Sequence, residues 1–268
     1  MRILTWNINS VRLRIDLLTR LIDETEPDVI CLQETKVVDD AFPMKPLAEK
    51  GFRHSVIAGQ KSYNGVAILS RLPLTGGGVK DWCGRSDCRH VFATVDGGGA
   101  GGVEVHCLYV PAGGDVPDPA VNDKFAHKLR FLDEMIAWWP AAARAGRKLV
   151  LAGDLNIAPL EHDVWSHKQL LDVVSHTPVE VAKLAALQQT LGWVDAARRF
   201  VPPEQKLYSW WSYRAKDWRA ADRGRRLDHI WISPALEGGL KACAVLAGVR
   251  GWEPKPSDHV PVIVELAP

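Results

Sequence analysis

Lys148-Leu-Val-Leu-Ala-Gly-Asp-Leu-Asn-Ile-Ala-Pro159 decides how the rest of the chain is read. Residues 149–152 are apolar and partly β-branched, as in a strand buried on both faces, and Gly153 lets the backbone turn where that strand ends. Asp154 and Asn156 are two residues apart, so an extended backbone points both side chains the same way. One is an acid able to bind a cation or take a proton; the other is an amide able to hold a water or a phosphate oxygen. An Asx turn closing the strand explains an isolated Asp-x-Asn equally well. The choice between the two rests on how other strands in the chain end.

Several end the same way. Residues 2–8 read as a strand closing on Asn7 and Asn9, and residues 28–33 as a second closing on Glu34. Residues 103–110 bring Tyr109 to a tip before Pro111, residues 227–232 carry Asp228, and Ser257-Asp258-His259 precedes a last strand over 260–266. Further strands are expected at 52–59, 65–70 and 90–95, with Gly76–Gly78 and Gly97–Gly102 as turns or loops between hairpin-like pieces. Helical spacing places Leu13, Leu17, Leu18, Leu21 and Ile22 on one face of a helix over 11–25, ended by Pro27. A second amphipathic helix is expected over 123–139, with Phe125, Leu129, Leu132, Ile136 and Trp139 on its apolar side. A capping box at Thr177–Glu180 opens a third helix that runs to Leu191, and nothing functional is needed to explain it.

With 268 residues, 47% of them hydrophobic, the chain can build one large α/β domain spanning residues 1–268. Its formal net charge of +1 means that a polyanion must be met by a local patch. Cys31, Cys83, Cys88, Cys107 and Cys243 are odd in number and sit mostly in strand-like runs, which argues against a disulfide framework. Cys83, Cys88 and His90 lack the second ligand pair of a zinc site. The N-terminus begins directly in a strand pattern and no stretch is apolar for long enough to span a bilayer, so a cytoplasmic protein with no membrane partner is expected.

Residues 208–226 supply the patch. Six basic residues against two acids, interleaved with five aromatics, make a cationic stacking surface suited to a nucleic-acid backbone. Trp210, Trp211, Arg214, Arg225 and Arg226 are its candidate substrate-binding residues. Carboxylates converging without thiolates favour a hard cation, Mg2+ or Mn2+, over zinc. Such an ion beside Tyr and His suits phosphodiester hydrolysis, in which negative charge builds on phosphoryl and leaving oxygens.

Taken in order, Trp6-Asn-Ile-Asn9, Pro27-Asp-Val-Ile-Cys-Leu-Gln-Glu-Thr-Lys36, Gly65-Val-Ala-Ile-Leu69, Tyr109-Val-Pro111, Gly153-Asp-Leu-Asn156, Ser209-Trp-Trp-Ser-Tyr213, Arg226-Leu-Asp228 and Ser257-Asp-His259 resemble the exodeoxyribonuclease III family. That family includes bacterial and eukaryotic abasic-site endonucleases on the endonuclease/exonuclease/phosphatase fold. The resemblance implies a DNase I-like four-layer α/β sandwich, two packed mixed β-sheets flanked by helices, with the site at one end. It implies that Glu34 is the principal metal ligand, with Asp258 nearby and Asn7 in support. Asp154 would position or deprotonate the attacking water, and Asn156 would hold that water or a phosphate oxygen. His259, kept charged by Asp228, would donate to a phosphoryl oxygen, as would Tyr109.

The implied activity is that of a Mg2+-dependent DNA-repair phosphodiesterase, with Mn2+ as a substitute, working as a monomer on double-stranded DNA that carries abasic sites or 3′ ends. Abasic endonucleases, 3′-to-5′ exonucleases and 3′-phosphatases share the catalytic set, so substrate choice is sought elsewhere. Residues 157–176 depart from the better-known exonuclease III sequences and hold His162, His167 and His176. His167 either enters the pocket, excluding an abasic sugar and favouring 3′-end trimming, or is a surface histidine. Arg225 stands where abasic endonucleases of the human type tend to carry a bulky aromatic. The expectation is that 3′-terminal chemistry outweighs abasic incision. A phosphatase of a non-nucleic-acid phosphoester would not need residues 208–226, and a non-catalytic RNA-binding regulator would lack acids that are all present here.

Overall fold

The computed structural model, which describes residues 1–97, 101–142 and 146–267, puts the two polar-tipped runs that begin the argument at the centres of two different sheets. Of the glycine run expected as a loop, residues 98–100 lie outside the described residues. In chain order the strands are β1 (Arg2–Asn7), β2 (Val29–Gln33), β3 (His54–Ala58), β4 (Val66–Ser70), β5 (Leu74–Val79), β6 (His90–Val95) and β7 (Val103–Tyr109). They continue as β8 (Leu149–Asp154), β9 (Val194–Asp195), β10 (Trp210–Trp211), β11 (Gly224–Arg225), β12 (Asp228–Ile232), β13 (Leu240–Val245) and β14 (Val262–Leu266).

One six-stranded sheet has the order β13-β14-β1-β2-β4-β3 and the other β5-β6-β7-β8-β12-β9, while β10 and β11 form a separate ribbon. Each large sheet contains one parallel pair, β1–β2 in the first and β7–β8 in the second; the other described pairings are antiparallel. A parallel pair needs a crossover, and the helices Ile15–Thr25 and Asp123–Ala142 provide it. Ile3, Val29, Cys31 and Ile68 of the first sheet meet Val105, Cys107, Val150 and Ile230 of the second in a shared inner core. The outer faces are closed by Leu18, Leu21 and Ile22 of the first helix and by Phe131, Leu132 and Met135 of the second, with Leu184 and Leu187 of the helix Pro178–Gln189. These are the four layers expected. Strands covered on both faces need no polar alternation, which is why 149–152 and 29–32 read as unbroken apolar runs.

Four local readings are corrected. The first helix starts at Ile15, because Arg14 turns its guanidinium onto the carbonyls of Ile8, Asn9, Lys255 and Pro256; Leu13 is therefore exposed, not on the packed face. Gly76–Gly78 lies inside β5, an edge strand whose pairing shifts between Thr75 and Gly78, where a bulge tolerates glycine. The edge strand β13, which follows Gly238 and Gly239, was not anticipated. In Asp123–Ala142 the buried side includes Lys128, while Leu129 and Ile136 are only partly covered. The five cysteines are free, and no helix among the described residues is long and apolar enough to cross a membrane.

Candidate catalytic site

Both parallel pairs finish at the same edge of the sandwich. Register sets Tyr109 opposite Asp154 across β7–β8, and Asp228, the first residue of the antiparallel β12, opposite Asp154 on the other side. Gly153 is required there: with φ +151° a Cβ would lie 1.9 Å from the Leu108 carbonyl oxygen. The segment before β14 folds over the edge, with Ser257 donating to the Asn7 carbonyl (2.7 Å) and the Trp6 indole donating to the His259 carbonyl (3.0 Å).

The side chains form a continuous row. Tyr109 donates its hydroxyl to Glu34 Oε1 (2.8 Å), and the Asn7 amide donates to Glu34 Oε1 and to Asp154 Oδ2, both at 2.9 Å. Asn156 gives its backbone N–H to Asp154 Oδ1 (2.9 Å) and its side-chain amide to Asp154 Oδ2 (3.2 Å) and to the Val110 carbonyl (2.8 Å). His259 Nε2 stands 3.7 Å from Asp154 Oδ2, and its Nδ1 is 2.8 Å from Asp228 Oδ2, which also accepts from Ser209 Oγ (2.7 Å). Asp258 lies at the rim, accepting from the Trp210 indole (3.0 Å) and the Asn9 amide (3.2 Å). Glu34 (φ +52°) and Asn156 (φ +53°) hold left-handed backbone, a strain that tends to gather where side chains must be aimed.

Electrostatics separate their roles. Burial alone would lower the His259 pKa, but Asp228 and Asp154 outweigh it and raise it to about 10, so the imidazole is cationic at neutral pH. Burial pushes Asp154 up to about 7, with Asp228 and Glu34 adding to the rise and His259 and Asn7 opposing it. For Glu34 burial acts upward, yet Lys36 and Asn7 hold it below the ordinary glutamate value. Burial, with Glu34 and Asp154 adjacent, keeps the Tyr109 phenol well above its usual value and hence a neutral donor.

The row opens into a cavity of about 590 Å³. Glu34, Tyr109, Asp154, Asn156 and His259 line its inner end, Asp258 and Trp210 stand at the rim of that end, and Trp165, Arg214, Arg223, Arg225 and Leu227 line the rest. Arg225 lies over the Trp210 ring (5.4 Å) and donates to the Val174 carbonyl (3.0 Å) and Ser175 Oγ (2.7 Å), while Arg223 lies over Trp165 (4.7 Å).

Residues 4–259 match the model of the Endonuclease/Exonuclease/phosphatase family. The chain belongs to that family. Exodeoxyribonuclease III of Haemophilus influenzae is 29% identical, covering 99% of this chain and 100% of its own. A Neisseria 3′-phosphatase, NExo, solved with product DNA hairpin, superposes with a TM-score of 0.89 at 34% identity, and an AP endonuclease from Archaeoglobus fulgidus with 0.90 at 29%. Each match covers 99% of both chains. The family resemblance read from the motifs therefore extends along the whole fold.

Asp154, Asp228 and His259 each offer an atom within 4.8 Å of the others, and His259 Nδ1 faces Asp228 Oδ2 at 2.8 Å, where a charged imidazole acts as a donor. Glu34 and Asp258 are carboxylates free of any thiolate neighbour in the row, a donor chemistry that fits a hard cation. Asp228 Oδ1, on the carboxylate that holds His259, is buried with no hydrogen-bond partner among the described residues.

Three residues expected to face substrate lie elsewhere. Neighbours on a strand point to opposite faces, so with Trp210 on the cavity, Trp211 turns into the core against Tyr208 and Trp218. The same alternation puts Arg225 on the cavity and Arg226 inside, where it is 1% exposed and paired with Asp163 and Asp195. Gly224, opposite Trp211, is needed because a Cβ would meet the Tyr208 ring at 2.4 Å. His167 begins a short helix capped by Ser166, is exposed, and bonds only sideways to His176 (2.8 Å). Lys36, Ser209, Trp165 and Arg223 were not anticipated. Lys36 and Ser209 sit within motifs already quoted, and Trp165 and Arg223 within the stretches 157–176 and 208–226 already singled out, where composition marks the stretch and not the individual residue.

Proposed function

We propose that this protein is a metal-dependent phosphodiesterase of the exonuclease III type, acting as a monomer on double-stranded DNA and chiefly at 3′ ends, as a 3′-to-5′ exonuclease and 3′-phosphatase. One observation carries the reading: a row hydrogen-bonded from Tyr109 through Glu34 and Asn7 to Asp154, and continued across a 3.7 Å charge contact to the hydrogen-bonded pair His259 and Asp228, opens into a cavity walled by arginines and tryptophans.

A phosphate at the inner end meets the His259 imidazolium, and the Tyr109 hydroxyl becomes a second donor when it exchanges Glu34 for a phosphoryl oxygen, both where negative charge builds during cleavage. Asp228 holds the His259 ring and keeps its proton. Asp154, adjusted to about 7, can take the proton of an attacking water near neutral pH, and Asn156 fixes its orientation. Glu34 and Asp258, with Asn7 aligning Glu34, would hold Mg2+, with Mn2+ as a substitute; the ion would supply Lewis-acid stabilisation of the phosphoryl oxygens. The outer wall, with Trp210 stacked under Arg225 and Arg214 at the mouth, suits a DNA backbone and an unpaired terminal nucleotide.

The preference for 3′ ends is supported by Arg225. Its guanidinium is fixed on the cavity by two hydrogen bonds and favours an anionic terminus over a neutral abasic sugar. That the Neisseria relative is a 3′-phosphatase seen with product DNA agrees with this reading. The test uses labelled duplexes carrying an internal abasic analogue, a 3′-phosphate or a recessed 3′-hydroxyl, with Mg2+ and then with chelator. Release at the 3′ end should exceed internal incision, and chelator should stop both. Efficient incision with poor 3′-end release overturns the preference; no metal-dependent cleavage of any duplex overturns the function.

A further inference from the structure

The helix Pro178–Gln189, which its capping box seemed to explain completely, carries a buried charge that reaches the site from behind. Glu180 and Lys128 form an ion pair at 2.5 Å in which both side chains are fully buried. The Lys128 ammonium has three protons, and each has an acceptor: Glu180 Oε1, the Asn156 carbonyl (2.7 Å) and the Ala112 carbonyl (3.2 Å). Glu180 in turn accepts from Ser175 N–H with both oxygens (3.0 and 2.9 Å), from Thr177 N–H (3.2 Å) and from Thr177 Oγ1 (2.7 Å).

These contacts converge on the two left-handed residues that shape the cavity on this side. Asn156 has φ +53° and Ser175 φ +87°, conformations that residues with side chains rarely adopt and that persist only where neighbours enforce them. Asn156 orients Asp154; Ser175 accepts Arg225 through its hydroxyl and Ala158 N–H through its carbonyl (2.8 Å). A buried ion pair is weak evidence for stability, because desolvating two charges offsets most of their attraction. Capping the helix needs only a Gln at this position, not a charge.

We propose that Lys128 and Glu180 are a positioning pair: one buried ion pair clamps the catalytic Asn156 turn and the Ser175 turn that carries Arg225, fixing the reacting groups relative to the substrate wall. The inference rests on the phosphodiesterase reading above. Parent enzyme that fails to cleave any duplex would count against that reading, whereas the variants below bear on the clamp only once parent turnover has been measured.

The test is Glu180→Gln, which retains volume and the capping group but places an amide donor against the Ser175 and Thr177 donors and leaves Lys128 without its counter-charge. Thermal midpoint, kcat and KM are measured on the 3′-phosphate duplex. Glu104→Gln, which loosens the His106 and Arg147 contacts at the opposite end of β7, is the control for loss of a partly buried charge. The clamp predicts a kcat loss of tenfold or more for Glu180→Gln with KM within threefold, while Glu104→Gln keeps parent kcat at a similar shift in midpoint. A folded Glu180→Gln protein with kcat within twofold of parent, or a loss equally large in Glu104→Gln, overturns it. Should Glu180→Gln not fold, Lys128→Gln carries the same measurement with the same two thresholds.

Discussion

The two ends of the cavity are built on different plans. At the inner end Asn7, Tyr109, Asp154 and Asp228 stand on strand termini and Glu34 directly follows one, so sheet register fixes them and each bonds to another polar side chain. At the rim and the outer end Trp165, Trp210, Arg214, Arg223 and Arg225 come from loops and a two-strand ribbon, held by stacking and a few hydrogen bonds. On the proposed function, reacting groups are thus placed by the part of the fold least able to move, and substrate choice is left to segments that can vary without disturbing the sheets. Substitutions at the first end should act on turnover, and those at the second on which DNA end is cut.

The largest effect is expected from Asp154→Asn. Removing the proton acceptor while keeping its shape should lower kcat by ~10⁴-fold, about 5 kcal/mol of barrier, with duplex affinity by fluorescence anisotropy within a few fold of parent. Near-parent turnover would mean that the strand-tip row is not where the water is activated.

Trp210 and Trp211 test the comparison within one dipeptide. Trp211→Ala should cost about 3–4 kcal/mol of stability in urea unfolding, because it empties a core position, and leave the ratio of 3′-end release to abasic incision unchanged. Trp210→Ala should do the reverse, shifting that ratio with little loss of stability. Equal behaviour of the two would remove the distinction between wall and core on which the substrate reading depends.

The same dipeptide shows what was legible in the sequence. Glu34, Tyr109, Asp154, Asp228 and His259 could be found because an apolar strand ending in a polar residue is a local signal, repeated at several tips, and parallel pairs bring their ends to one edge. Trp211 and Arg226 could not be separated from Trp210 and Arg225, because composition marks a basic aromatic run without saying which alternate residues face inward. That depends on the register of β10 with β11 and on the waiting acids Asp163 and Asp195, which lie far away in sequence. Lys128 and Glu180 were hidden for a related reason: each fits its helix locally, and only the packing of the two helices makes them a pair.

Protonation should sharpen the contrast at an intermediate scale. Burial, with Arg226 nearby, pushes His229 down to about 4, against about 6.5 in an unfolded chain, so the fold holds it neutral. The unfolded state therefore takes up the proton first. The stability this contributes is complete above pH ~6.5 and is lost as pH falls towards about 4, amounting to about 2 kcal/mol between pH 7 and 5. Burial also depresses His90 and His106, which act with the same sign in the same sheet. Urea midpoints at the two pH values measure the slope, and His229→Gln should reduce it; an identical slope would show that His229 is not a group through which acid acts.

The smallest effect is expected at the residue that the sequence made most inviting. His167 lies in a stretch where substrate choice was sought, yet it sits outside the cavity: Ser166 caps the short helix, His167 is turned to solvent against His176, and Trp165, two residues earlier, takes the place on the wall. His167→Ala should change stability by less than about 0.5 kcal/mol and the ratio of 3′-end to abasic cleavage by less than twofold, whereas Trp165→Ala should shift that ratio severalfold. Measuring both on the same duplex set separates proximity in sequence from proximity in space. A tenfold change with His167→Ala would require the helix His167–Leu170 to swing over the cavity when DNA binds, making the outer wall a moving part instead of a fixed one.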